Sequence, residues 1–202
     1  MNDNILITGK RGFIGRWVAG GRPFLGCIQN IADLMRETAD ITGIVHLAAK
    51  SNNKVCEANP KRSIETNLVG LCNVLETALH KDIWVLFIST YQVKEKNLYG
   101  ISKLMGEELC KVYKDLGVRV NILRLPIVYG PKDKPSKVVT KIINEIKEGK
   151  EPVINTDDSL YFAYVEDVAH MIESEVAVLE GYPEKFYNLR DLVDGIRECL
   201  NE

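Results

Sequence analysis

The sequence predicts an α/β fold with a doubly wound parallel sheet, and two of its features support this expectation. Short runs that are apolar nearly throughout alternate with segments of helix length, which is the order found when helices cover both faces of a parallel sheet. Of the 202 residues, 46% are hydrophobic and 27% are charged, a composition that supports one sizeable core. We expect a main domain over residues 1–130 and a short lobe over residues 131–202 that packs against it as one compact unit.

Four apolar runs are the predicted strands, and helices are predicted between them. The strands are expected at residues 4–8, 44–47, 83–88 and 118–123. Helices are expected from about Phe13 and at residues 31–40, 60–80, 99–116 and 136–148. In the segment 60–80, apolar residues recur at steps of three and four, which predicts a core-facing stripe.

Charge and cysteine content argue against several classes of function. The formal net charge is −2, so no basic surplus is available to hold a nucleic acid. The five cysteines are far apart without a C-x-x-C pair, and the three histidines are equally dispersed, so no metal site is expected. An odd number of scattered cysteines predicts a reduced, cytoplasmic chain. No apolar run approaches the roughly 20 residues that span a bilayer, so no membrane association is expected.

The residues after the first predicted strand form a glycine-rich loop. Gly9, Gly12 and Gly15 stand three residues apart between this strand and a predicted helix. Such a turn needs the first glycine for backbone freedom, the second for close approach to a pyrophosphate, and the third for helix packing. The free amides at the start of the following helix attract the same anion. This arrangement predicts a Rossmann-like dinucleotide-binding site.

Two cations inside the loop bear on the choice between NAD and NADP. Lys10 and Arg11 occupy loop positions that are usually small or neutral. The acidic residue that binds the ribose 2′-hydroxyl of NAD is expected about 20 positions further on, where this chain has the neutral Gln29 and Asn30. Both observations favour NADP over NAD, although loop cations that are simply solvated also explain Lys10 and Arg11.

A tyrosine and a lysine open the helix predicted at residues 99–116. Tyr99 and Lys103 are four residues apart, which places the phenol and the ammonium on one helix face. A nearby cation lowers the pKa of a phenol, and this would make Tyr99 a useful base at neutral pH. Thr90 ends the preceding strand, where its hydroxyl can bond the same substrate oxygen. The three residues predict a hydride-transfer site, whereas an isolated Y-x-x-x-K pair is also common on solvated helices.

Further motifs follow one another along the chain. They are V-H-L-A-A from Val45, E-T-N-L-V-G from Glu65, F-I-S-T from Phe87, R-L-P-I-V-Y-G-P from Arg124 and Y-V-E-D-V-A from Tyr164. With the glycine loop and the Tyr–Lys pair, they resemble the NAD-dependent epimerase/dehydratase branch of the extended short-chain dehydrogenases/reductases. That branch acts on nucleotide sugars.

The resemblance implies roles for individual residues. Tyr99 would be the catalytic acid/base, Lys103 would bind the nicotinamide ribose, and Thr90 would orient the sugar. The candidate cofactor contacts are Tyr99 and Lys103 with Gly9, Lys10, Arg11, Gly12, Phe13, Ile14, Gly15, Asn30, Leu47, Ala48, Ala49, Asn67 and Ser89. Lys50, Tyr91 and Gln92 follow strand ends on the ligand-binding side and are candidates for substrate contact, although each is also compatible with a plain loop residue.

The chain departs from the family pattern in four places. Only about 30 residues separate Gly15 from His46, and the segment 26–33 resembles the family's third strand, so one strand and part of the adenosine pocket are expected to be missing. Tyr91 and Gln92 stand where dehydratases have an Asp–Glu pair, which argues against a 4,6-dehydratase. Ile127 replaces the usual Asn, and the sugar-nucleotide lobe is short.

Two functions remain open from the sequence. An epimerase or keto-reductase would move a proton through Tyr99 while hydride passes to or from NAD or NADP. A non-catalytic dinucleotide-binding or regulatory protein would keep the fold after losing part of the cofactor site. Family members usually pair through the helices that correspond to residues 60–80 and 99–116, so a homodimer is expected, although core packing also explains the apolar pattern of these helices.

Overall fold

A five-stranded parallel sheet forms the centre of the computed structural model, which describes residues 3–133, 138–152 and 161–173. The strand order is β2-β1-β3-β4-β5. The strands are β1 Ile5–Thr8, β2 Arg22–Pro23, β3 Gly43–His46, β4 Trp84–Thr90 and β5 Val120–Leu125. The predicted α/β class with a doubly wound parallel sheet is confirmed, because the chain leaves β1 on one side to form β2 and on the other to form β3, β4 and β5.

Both faces of the sheet are buried, which explains why its strands are apolar runs without alternation. Leu6, Ile44 and Phe87 point into one core cluster. Their neighbours Ile7 and Val45 point into the cluster on the opposite face. Successive residues of a strand face opposite sides, so a sheet covered on both faces needs an apolar residue at every position.

Helices connect β2 to β3, β3 to β4 and β4 to β5, and further helices follow β5. They are α1 Ile31–Glu37, α2 Asn53–Ala58, α3 Pro60–Ile64, α4 Gly70–Lys81, α5 Leu98–Asp115, α6 Val138–Lys147 and α7 Val165–Glu173. The helix predicted at residues 99–116 is confirmed to within one residue. The helix predicted at residues 60–80 is present as α3 and α4, joined by a π-helical turn over Glu65–Val69. Within the described residues, no helix is both long and apolar enough to cross a membrane.

The helix predicted from Phe13 is wrong. Residues 9–21 join β1 to β2 through turns and bends. These 13 residues are at the lower limit for a parallel crossover that contains a helix, and the glycine turn at one end and a bend at the other take up part of them. Gly20 and Gly21 lie in the left-handed region, with φ of 65° and 69°, and this bend brings the chain straight into β2.

The expected third strand at residues 26–33 is also wrong. Asn30 caps α1, because its side-chain oxygen accepts from the backbone N–H of Ala32 at 3.1 Å. This cap fixes the segment as a turn that leads into a helix. The strand beside β1 is instead the two-residue β2, and no strand lies beyond it in the described part of the chain. The sheet is therefore shortened on the side of β2.

A second, two-stranded parallel sheet lies after β5. Its strands are β6 Ile127–Tyr129 and β7 Phe162–Tyr164. The helix predicted at residues 136–148 is confirmed as α6, which covers this sheet through Val139. The helix α7 packs against the main sheet through Val165 and Val168. Much of the lobe predicted over residues 131–202 lies outside the described residues.

Candidate active site

A cavity of about 500 Å³ opens at the carboxyl ends of the main strands. It lies at the point where the strand order reverses, between β1 and β3, which is the place where such sheets bind ligands. Its lining comes from Gly9, residues 12–15, Leu47, Ala49, residues 51–54, residues 88–90, Gln92, Tyr99, Lys103 and residues 125–128. The glycine loop and the Tyr–Lys pair thus border one cavity.

The glycine loop forms a tight turn at one end of this cavity. Gly9 has φ of +74°, and a Cβ at this position would lie 2.7 Å from the backbone nitrogen of Ala48. The amide of Gly12 donates to the carbonyl of Gly9 at 2.8 Å, whereas the amides of Ile14 and Gly15 donate to no backbone carbonyl among the described residues. These two amides are available to an anion. Because no helix follows the loop, the helix-dipole contribution expected from the sequence is missing.

Lys10 and Arg11 differ in what they contact. The ammonium of Lys10 donates to the carbonyls of Val18 and Gly20, so it ties the loop to its own return segment. Partial burial lowers the pKa of Lys10, and the nearby Glu173 opposes this effect. The expected role of Lys10 toward a 2′-phosphate is therefore not supported by its position. Arg11 is exposed on the loop.

Tyr99 and Lys103 begin α5 and point toward the carboxyl end of β4. Gly100 allows this close approach, since a Cβ on it would lie 2.0 Å from the carbonyl oxygen of Gln92. Lys103 is 3% exposed, its ammonium donates to the carbonyl of Ile88 at 2.7 Å, and it lies 4.5 Å from the centre of the Phe87 ring. Burial lowers the pKa of Lys103 to about 8, which the charge of Glu107 partly opposes.

The pKa of Tyr99 is shifted in the direction opposite to the sequence-based expectation. Burial raises it to about 12, and the neighbouring Cys56 acts in the same direction. A hydrogen bond with Thr90 lowers it, but this effect is smaller. Lys103 does not make Tyr99 acidic here, because burial disfavours the phenolate more than the surrounding groups stabilise it. Tyr99 therefore carries its proton at neutral pH.

Glu107 links α5 to two strands of the sheet. It lies one turn beyond Lys103 and is 2% exposed. Its carboxylate accepts from the hydroxyl of Ser89 at 2.5 Å and from two guanidinium nitrogens of Arg124, at 2.8 Å and 2.5 Å. Ser89 and Arg124 are register partners on β4 and β5. Sequence reasoning missed Glu107, although its spacing of four from Lys103 placed it on the same helix face.

Asn67 and Ala48 support the site rather than line its cavity. The side chain of Asn67 accepts from the amide of Lys50 at 2.8 Å and donates to the carbonyl of Lys50 and to the hydroxyl of Ser102. The amide of Ala48 donates to the hydroxyl of Thr8 at 3.2 Å. Both residues hold the segment after β3, and Leu47 and Ala49 in that segment face the cavity. Asn30, as the cap of α1, is absent from the cavity lining.

Two buried acceptor atoms belong to residues that line the cavity. Gln92 Oε1 and Asn53 Oδ1 have no hydrogen-bond partner among the described residues, and both residues line the cavity. Buried polar atoms are normally paired, so these two are suited to hydroxyl donors of a ligand. Gln92 was a sequence candidate, whereas Asn53 and the loop around it were missed. Tyr91 instead packs against Tyr161, with ring centres 5.8 Å apart.

The cavity fits part of a nicotinamide dinucleotide well. The loop amides can bind phosphate oxygens, and Lys103 and Tyr99 lie where the nicotinamide ribose is expected by the resemblance. Among the described residues, no group of His, Cys, Asp and Glu could hold a metal ion.

The sheet reversal, the glycine turn and the cavity beside them define a Rossmann-like α/β protein with a nucleotide-binding crevice. The chain belongs to the NAD dependent epimerase/dehydratase family, whose sequence profile matches residues 25–188.

Individual relatives are more distant. The chain is 27% identical to UDP-glucuronate 4-epimerase 1 of Arabidopsis thaliana, over 69% of this chain and 39% of the relative. It is 28% identical to the UDP-2-acetamido-2,6-beta-L-arabino-hexul-4-ose reductase of Pseudomonas aeruginosa, over 88% of this chain and 50% of the relative. The chain thus spans at most half the length of these two relatives.

The fold is also similar to that of solved structures. One of them is the crystal structure of the UDP-glucose 4-epimerase of Thermus thermophilus in complex with NAD. It matches this chain with a TM-score of 0.75 and 23% identity, and the match covers 100% of this chain and 84% of the epimerase chain. At this identity, the likeness establishes the fold.

Proposed function

We propose that the protein is a nicotinamide-dinucleotide-dependent epimerase or keto-reductase that acts on a nucleotide-activated sugar. The observation that carries this proposal is the convergence of Thr90, Tyr99 and Lys103 on one cavity beside the glycine loop. Family membership supports the cofactor class, and the names of the relatives support both activities. The same membership supports a nucleotide sugar as substrate.

In this mechanism, Tyr99 exchanges a proton with the sugar oxygen and Thr90 orients that oxygen. The bound dinucleotide supplies or accepts the hydride. With a pKa of about 12, Tyr99 is a proton donor at neutral pH, which suits reduction of a keto group. Lys103 holds positive charge beside the reacting groups and would bind the nicotinamide ribose. Gln92 and Asn53 would accept hydrogen bonds from sugar hydroxyls.

We include Lys50, Tyr91 and Ser89 in the proposed site with a lesser role. The backbone of Lys50 is held by Asn67, and Lys50 is absent from the cavity lining. Ser89 lines the cavity but its hydroxyl donates to Glu107. Tyr91 would act through its packing on Tyr161.

The choice between NADP and NAD depends on one loop residue. Because the ammonium of Lys10 is bonded within the loop, Arg11 remains to pair with a 2′-phosphate. The bound NAD of the Thermus thermophilus relative supports the other choice. Calorimetric titration of both cofactors with wild type and Arg11→Ala decides between them. NADP preference requires that the substitution weaken NADP alone, and equal effects on both cofactors contradict it.

The activity is tested by mixing the purified chain with reduced cofactor and a panel of UDP-linked 4-keto sugars, and separately with oxidised cofactor and a panel of UDP-sugars. We expect loss of reduced-cofactor absorbance or epimer formation, and a drop in kcat of about 10²-fold or more in Tyr99→Phe. Tyr113→Phe is the matched control on the same helix, because its hydroxyl bonds Glu76 at 2.8 Å and is absent from the cavity lining. Equal activities of the two variants contradict the role of Tyr99.

A non-catalytic dinucleotide-binding protein is the second candidate. It is favoured by the shortened sheet beside β1, where part of the cofactor site is expected. Cofactor binding without turnover on any nucleotide sugar supports this candidate over the enzyme.

We also propose a homodimer in a reduced, cytoplasmic setting. Exposed apolar residues form a stripe along α5, namely Ile101, Met105, Val112 and Leu116. Their spacing keeps them on one helix face, and a second copy would remove them from water. Met105→Lys should convert a dimer to a monomer in light scattering, whereas an unchanged mass contradicts this interface.

The proposed reduced, cytoplasmic setting is compatible with the cysteines. The four cysteines in the described residues are all free.

A further inference from the structure

We propose that this chain holds its cofactor through the nicotinamide mononucleotide half, and that the adenine and its ribose, apart from a 2′-phosphate that Arg11 would pair with in NADP, contribute little to binding. The inference rests on the proposed function, because it assumes that a nicotinamide cofactor occupies the cavity. It predicts that a nicotinamide mononucleotide alone is a competent ligand.

The cavity extends in one direction from the glycine loop. Beyond this loop, its lining comes from the segments after β3, β4 and β5 and from α5. No residue of β2, of α1 or of the segment between them lines it, within the part of the chain that the structure describes. In dinucleotide-binding sheets, the end of the strand beside β1 on that side holds the adenosine ribose.

The residues that follow β2 are not suited to a ribose. The ribose-binding position is usually an acid that accepts from the hydroxyls. Here the chain continues with Phe24, which packs on the core, and Leu25, whose side chain is 64% exposed. Neither side chain offers a hydrogen bond.

The polar side chains nearby are already paired within the protein. Arg22 forms an ion pair with Asp40 at 2.8 Å, and Gln29 donates to the hydroxyl of Thr66 at 3.1 Å. Asp33 accepts from the amide of Cys27 at 2.9 Å. The cap formed by Asn30 and the contact of Glu37 with the amide of Leu25 complete this set. These contacts hold the polar groups near β2 in orientations set by the protein itself.

The cavity itself, in contrast, offers several groups that can bind a ligand. The amides of Ile14 and Gly15 can bind one phosphate. Tyr99 and Lys103 lie where a nicotinamide ribose and ring would be placed. A phosphate, a ribose and a nicotinamide are the parts of nicotinamide mononucleotide. The groups of the cavity that can bind the cofactor would therefore contact this half of it.

Calorimetric titration of the whole chain tests the inference with four probes: NADH, reduced nicotinamide mononucleotide, ADP-ribose and AMP. We expect the mononucleotide to bind within about tenfold of NADH, and ADP-ribose and AMP to bind at least about tenfold more weakly than the mononucleotide. A larger advantage of NADH, or ADP-ribose binding as tightly as the mononucleotide, overturns the inference while leaving the proposed function intact.

Failure of the proposed function gives a different result. If neither NADH nor NADPH nor the mononucleotide binds, the proposed cofactor class is wrong and the inference falls with it. Leu25→Ala adds a check at an exposed position that tolerates substitution. It should change the affinity for NADH by less than about twofold, and a loss of about tenfold would show that the adenosine half is held there.

Discussion

Replacing Glu107 with glutamine removes the charge that joins α5 to β4 and β5. The Glu107 side chain is 3% exposed, and its carboxylate pairs with the guanidinium of Arg124, whose side chain is 36% exposed. Breaking a fully buried pair by removing one partner costs about 3–5 kcal/mol, and the partial exposure of Arg124 reduces the expected loss to about 2–3 kcal/mol. For a chain of this size, that corresponds to a fall in the unfolding midpoint of about 4–12 °C.

Urea unfolding followed by tryptophan fluorescence measures this loss, since the chain has two tryptophans. Glu108→Gln is the matched control, because the adjacent Glu108 pairs with Lys111 on the exposed face of the same helix. Exposed pairs contribute about 0–1 kcal/mol, so the control should remain near wild type. A double-mutant cycle with Arg124→Gln should give a coupling of about 1 kcal/mol or more. Equal effects of the two glutamate substitutions, or strict additivity in the cycle, would refute the reasoning.

Three further predictions concern burial and packing. Lys103 has a pKa of about 8 in the folded chain against 10.5 when unfolded, so the unfolded state binds more protons between these values. The stability of wild type relative to Lys103→Met should therefore rise by roughly 3 kcal/mol from pH 8 to 10.5, and a flat difference contradicts this assignment. Burial lowers the pKa of His46 to about 3 from 6.5, so its ring signals in NMR should not titrate between about pH 7 and 4.5, and stability should fall as pH drops below 6.5. A protonated ring at about pH 5 would exclude the buried neutral form. Gly100→Ala should lower the free energy of unfolding by about 2 kcal/mol or more, because the new methyl group meets the carbonyl of Gln92. Gly117→Ala should lower it less, because its methyl group meets no atom within 4 Å and strains only the backbone at φ of +100°. Denaturant unfolding of both variants measures the two losses of stability. A smaller loss in Gly100→Ala than in Gly117→Ala contradicts this prediction.

The hydrophobic pattern of the sequence predicts the strands that are buried on both faces and the helix whose start is fixed by local contacts. The strands β1, β3, β4 and β5 and the helix α5 fall close to their expected positions because each has a distinct period and clear ends. Asn97, for example, caps α5 by accepting from the amide of Gly100 at 2.8 Å, which fixes where the helix starts.

The misses arise where tertiary context outweighs local pattern. The segment after Gly9 has the composition of a helix start, but the turn at Gly9 and the bend at Gly20 and Gly21 take up much of the connection to Arg22. Likewise, the spacing of Tyr99 and Lys103 placed them on one face, while the sign of the pKa shift of Tyr99 depends on burial by residues distant in sequence.

The two candidate substrate residues after β4 illustrate the same limit. Their position after a strand end was readable from the sequence, and the structure places Gln92 on the cavity but turns Tyr91 toward Tyr161. Asn53 had no recognisable pattern, because its role depends on the fold bringing α2 to the cavity rim.

The two-residue strand β2 forms an edge of the main sheet that is poorly suited to pair with a strand of another molecule. The amide of Phe24 donates to the carbonyl of Ile7, so Arg22 and Phe24 direct their main-chain groups inward and Pro23 faces outward. Proline has no N–H, so the margin lacks the donor that an incoming strand from another molecule would use. The charge of Arg22, held by Asp40, adds a further barrier. We expect this edge, as the described residues form it, to resist pairing with a strand of another molecule.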